Sequence, residues 1–132
     1  MGWPYPVKQT PWDEIDARFT GFATMNPTFE HMAAIVRSVR AVGAESDLAA
    51  FTSMHDLMVA SRPIPEPPVE LVAVRAPSSM AKVSEGCVVI EHLSVTGRND
   101  QIERPVADAV PLFWRFMIEK FGVDPGNYSK PH

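Results

Sequence analysis

Two stretches decide how this chain is read: Leu71-Val72-Ala73-Val74-Arg75-Ala76 and Cys87-Val88-Val89-Ile90-Glu91-His92-Leu93-Ser94-Val95-Thr96. A strand with one wet face alternates apolar and polar side chains, and neither stretch does. Leu71 and Ala73 share one parity and oppose Val72 and Val74. Val89, Leu93 and Val95 oppose Val88 and Ile90 in the same way. The run 49–61 adds a third case, with Phe51, Leu57 and Val59 on one parity and Met54 and Met58 on the other. Three strands, over 49–61, 69–76 and 87–96, are therefore apolar on both sides, and both faces of their sheet should be covered.

The breaks between these runs fit short connections. Arg62-Pro63-Ile64-Pro65-Glu66-Pro67-Pro68 is a stiff linker. It also matches the Arg-x-x-Pro-x-x-Pro polyproline pattern, but a rigid crossover explains it without a partner. Gly97-Arg98-Asn99-Asp100 reads as a turn, and Gln101–Arg104 as a short returning fourth strand.

Helices flank the sheet. Thr10 is placed to cap a short one, with Pro11 in its first position and Trp12, Ile15 and Phe19 on one face. A clearer helix begins at Asn26-Pro27, repeats apolar residues at Phe29, Met32, Ala33, Val36 and Val39, and stops at Gly43. The last helix lies within 106–121, where Pro111 either kinks it or sits in the first turn of a shorter one. From Leu112 to Phe121 this helix is apolar except at Arg115, Glu119 and Lys120, a wider stripe than one sheet face needs.

The expected architecture is a single α+β domain over 1–132: an antiparallel sheet of three or four strands, with helices packed on one face. Residues 1–9, with Trp3, Tyr5 and two prolines, form an extended aromatic arm, and 124–132 a polar tail. Something must cover the second sheet face, either this arm or a second subunit. A homodimer is the favoured answer, with the last helix as an alternative contact.

Composition bounds the function. The chain has 132 residues, 45% of them apolar, and a net charge of −4 from 16 acidic and 12 basic side chains. There is no basic stripe of the kind phosphate backbones require, so no nucleic-acid partner is expected. No apolar run approaches the length needed to span a bilayer, and no targeting signal is visible, so no membrane partner is expected either. One cysteine, Cys87, allows no internal disulfide and fits a reducing, cytoplasmic setting. Its place at the head of an apolar run suggests an inert core thiol.

Five ionisable residues interrupt the apolar strands: His55, Asp56, Arg75, Glu91 and His92. Buried ionisable groups are costly unless paired, which makes such a cluster a candidate site. Adjacent strand residues point to opposite faces, so a carboxylate–imidazole couple must be His55 with Glu91 or Asp56 with His92. These four are the candidate acid–base residues. Arg75 and Arg98 are candidate binding residues. The alternative is that the buried ones are satisfied structural groups. No metal-ligand spacing exists, since His31, His55 and His92 are scattered, and no cofactor is implied.

Two functions follow as expectations. The first is a small soluble binding or accessory protein working as a homodimer, with a small apolar ligand or a protein partner. The second is a small hydrolase, isomerase or cyclase using a His–carboxylate couple on the sheet. A pocket containing His55 or His92 beside a carboxylate would favour the second, and a flat apolar surface the first.

Overall fold

The computed structural model describes residues 9–79 and 82–127. Its elements are α1 (Trp12–Met25), α2 (Glu30–Val42), β1 (Leu48–Ser53), β2 (Asp56–Ser61), β3 (Leu71–Arg75), β4 (Cys87–Leu93), β5 (Gln101–Pro105) and α3 (Ala109–Phe116). The strands form one antiparallel meander in chain order. The class is α+β, as expected, but the sheet has five strands instead of three or four.

The extra strand comes from 49–61. That run is longer than an ordinary strand, and the chain reverses at Met54–His55, pairing Ser53 with Asp56. A two-residue turn inverts side-chain parity. Phe51 and Met58 are therefore cross-strand partners on one face, and Ala50 and Val59 partners on the other. Met54 takes φ 58° to make the turn.

The helices pack on one face, as expected. There Leu48, Leu57, Val59, Val72, Val74, Val88 and Ile90 meet Ile15, Phe19, Met32, Val36, Phe113 and Met117 in a single core. The second face carries Phe51, Met58, Ala60, Leu71, Ala73 and Leu93, all buried within one chain. Val69 belongs to this smaller cluster and Ile64 packs against it. Both come from the proline-rich β2–β3 loop, which thus helps to cover the face. Of the aromatic arm, only Gln9 lies within the described residues; of the polar tail, residues 124–127 do.

The helix boundaries have local causes. Thr10 does not cap α1. Its N–H donates to the Ala50 carbonyl at 2.8 Å in an isolated bridge to β1, and Pro11 takes the cap position without a side-chain hydrogen bond. Asn26 does cap: its side chain accepts from the Thr28 N–H at 3.2 Å. Gly43, at φ 81°, ends α2 in the left-handed conformation. Pro111 sits in the first turn of α3, and the helix closes through a π-type turn, Met117–Phe121. Among the described residues no helix is long and apolar enough to cross a membrane.

Candidate functional site

Three of the sequence-predicted residues meet on the second sheet face. The register places Asp56 beside Arg75 and Glu91 opposite Ala73. Arg75 Nη1 donates to Asp56 Oδ2 at 3.0 Å, and its Nε donates to Glu91 Oε1 at 2.6 Å, with Nη2 on the same oxygen. Asp56 also accepts from the Ala76 N–H at 2.7 Å and the Ser79 hydroxyl at 3.0 Å. All three charged side chains are close to fully buried. Charges removed from water need such pairing, and this triad ties β2, β3 and β4 together.

The two proposed imidazole–carboxylate couples are not assembled. His55 is exposed in the β1–β2 turn and not within a strand. Its ring lies edge-on to Phe22 (4.9 Å) and near Phe29 (6.1 Å), on the helix side, whereas Glu91 is held by Arg75 on the other face. His92 pairs with Val72 and so faces the helices, across the sheet from Asp56. The chain reversal at Met54–His55 moves His55 out of the sheet, and strand alternation sets Asp56 and His92 on opposite faces. His92 Nε2 instead lies 3.4 Å from Glu70 Oε2. That is within ionic reach but off hydrogen-bond geometry, and the Glu70 oxygens are already taken by the Val95 N–H and the Ser94 hydroxyl. Arg98 is exposed in the loop after β4.

A residue without an assigned role in the sequence has the more open environment. His31, in the first turn of α2, is only 9% exposed. It lines a cavity of about 670 Å³ between the start of α2 (Pro27, Thr28, Glu30, Ala34), the β3–β4 loop (Pro77, 83–86), Cys87 and the entry to α3 (Val106, Ala107). Burial pushes the His31 pKa down, against the opposing effect of a hydrogen bond to the Thr28 backbone. A backbone bond that favours the proton is one in which the ring N–H donates to a carbonyl. Nε2 is buried and has no hydrogen-bond partner. Among the described residues only this atom and His92 Nε2 are buried side-chain nitrogens or oxygens without a hydrogen bond. Of the two, His31 alone borders the cavity.

The rest of the lining is mostly apolar or engaged. Glu30 is paired with Arg37 at 2.6 Å, and the Ser84 hydroxyl donates to Glu103 at 3.1 Å. Cys87 is half-buried at the head of β4 with a free thiol, and is not the fully buried core residue expected. Among the described residues no three His, Cys, Asp or Glu side chains are grouped to hold a metal ion. One signal for His31 was available in the sequence: a histidine flanked by Met32 and Ala33 on a helix whose other apolar positions are core. The second half of the site, the loop that faces it, has no periodic pattern to read.

The chain matches no protein-family model, and no curated protein or solved structure is significantly similar to it.

Proposed function

We propose that this protein is a binding or accessory protein that takes a small, largely apolar molecule into the cavity beside His31. One observation carries this reading: a mostly apolar cavity, bordered by His31, whose volume falls within the roughly 300–1,000 Å³ range of small-molecule sites. The enzymatic alternative, a hydrolase, isomerase or cyclase, has less support. The carboxylates on the sheet are bound by Arg75, and Glu30 beside His31 is bound by Arg37.

The homodimer is a second part of the proposal. Its support is the exposed apolar side chains of Met25, Met54, Val95, Val106 and Ile118. The second sheet face adds nothing to it, being buried within one chain. The single cysteine, left free, is compatible with a cytoplasmic setting. Sedimentation at micromolar concentration tests the dimer, and a species of 14.6 kDa would refute it.

The cavity is tested by amide-resolved NMR during titration with 1-naphthol, a bicyclic apolar probe. Shifts should concentrate at His31, Ala34, Gly86 and Ala107. No shifts, or shifts confined to another surface, would overturn the reading.

A further inference from the structure

The exposed apolar side chains differ in their surroundings, and the surroundings choose one face. Resting on the homodimer proposed above, we infer that its interface is the end of the molecule formed by the close of α1 and the β1–β2 turn. There Met25 and Met54 of one copy meet the same end of a second copy.

Three features lead to this. First, among the described residues the two most exposed large apolar side chains are Met25, at 88%, and Met54, at 76%. They border one place. Met25 lies one turn beyond Phe22 on α1, Met54 precedes His55 in the turn, and the Phe22 and His55 rings meet edge-on at 4.9 Å. Flexible thioethers pack well on aromatic rings, so this patch carries both halves of a methionine–aromatic contact, as a two-fold interface requires. Second, residues 19–29 and 48–55, which meet here, contain no Asp, Glu, Lys or Arg, in a chain where those four types make up 21%. Near a two-fold axis each side chain faces its own copy, so a charge there meets like charge. In a chain of net charge −4, a charge-free end is where a second copy can approach without that repulsion. The acids that follow the two stretches, Glu30 and Asp56, are paired with Arg37 and Arg75. Third, the other exposed apolar residues sit among charges. Ile118 precedes Glu119 and Lys120, Val106 lies between Arg104 and Asp108, and the Val95 N–H is held by Glu70.

Sedimentation equilibrium at neutral pH and micromolar concentration tests this on the wild type, Met25→Glu, Met54→Glu and Ile118→Glu. All three positions are exposed, and circular dichroism checks that each variant is folded. The wild type should be a dimer. Met25→Glu and Met54→Glu should each weaken it by about tenfold or more, through the loss of one buried methionine and the approach of a carboxylate to its own copy. Ile118→Glu should leave the dissociation constant within about twofold of the wild type.

A wild-type dimer that Met25→Glu and Met54→Glu leave intact, or that Ile118→Glu dissociates, would overturn the choice of face and leave the dimer standing. A wild-type monomer of 14.6 kDa at every concentration would bring down the homodimer reading, and this inference with it. Methyl NMR of the wild type on dilution needs no variant. The Met25 and Met54 methyl signals should shift as the dimer dissociates, while that of Met32, fully buried in the core, should not. Unmoved Met25 and Met54 signals across the dissociation would overturn the assignment of this end as the interface.

Discussion

The Asp56–Arg75–Glu91 triad and His31 are both ionisable sites set in apolar surroundings, and they resolve the cost of burial in opposite ways. Arg75 engages both carboxylates, and Asp56 takes a backbone N–H and a hydroxyl as well. His31 borders a cavity, burial pushes its pKa down, and its buried Nε2 has no hydrogen-bond partner. The first arrangement closes a structure and the second leaves room for something else. Ionisable character alone therefore does not mark a functional site.

The comparison would break if the triad proved dispensable. Phe113→Ala sets the scale for the helix-covered face: Phe113 is fully buried in the main core, and its removal should cost about 3–5 kcal/mol in denaturant unfolding. Arg75→Met should cost a similar amount, about 3–5 kcal/mol, because it strands two buried carboxylates on the two strands that flank β3. If Arg75→Met unfolds at the same denaturant concentration as the wild type, the triad is not structural and a binding role on the second face comes back into play.

A smaller effect, of opposite sign, belongs to the turn that put Asp56 on that face. Met54 holds φ at 58° while 76% exposed. A side chain with a Cβ pays for that conformation and glycine does not. Met54→Gly should stabilise the fold by roughly 0.5–1 kcal/mol, less whatever the added freedom of the unfolded chain removes. A clear destabilisation would show that the Met54 side chain makes contacts that matter more than its backbone strain.

That turn also marks where the sequence stopped being legible. Asn26, Gly43 and Gly122 announce helix ends through chemistry that any reader can see, and the apolar faces of α1, α2 and α3 lie in the core as their spacing predicts. Met54-His55 has none of the Gly or Asn that a tight hairpin usually shows, so β1 and β2 read as one strand and their mixed parity as evidence for two apolar faces. The conclusion about the faces held because β3 and β4 support it independently. The placement of His55 did not, since it hung on that one run. Of the five ionisable residues named from the sequence, the structure brings Asp56, Arg75 and Glu91 together, a trio the sequence did not single out, because β-strand alternation puts them on one face only once the register is known. The cavity at His31 could not be found this way. It depends on how far Pro77 and residues 83–86 stand from the first turn of α2, a distance that no local spacing encodes.

The smallest effect separates the two sites most cleanly, because it concerns protons and not packing. Burial holds the folded-state pKa of His31 below the ordinary value of 6.5. Above about pH 6.5 the ring is neutral in both folded and unfolded chains, and it adds no pH dependence. As pH falls below 6.5, the unfolded chain takes up a proton first, so the fold loses stability until the folded-state pKa is passed. The contribution of His31 is thus complete above pH 6.5 and declines on acidification below it. Other carboxylates also titrate as the pH drops, so the difference between wild type and His31→Phe is the quantity to follow. Between pH 8 and 7 that difference should be constant. From pH 6.5 downward the wild type should lose stability relative to the variant, since phenylalanine has no proton to gain. A difference that stays flat from pH 8 to pH 5 would mean that His31 titrates alike in both states, and that burial does not disfavour its charged form.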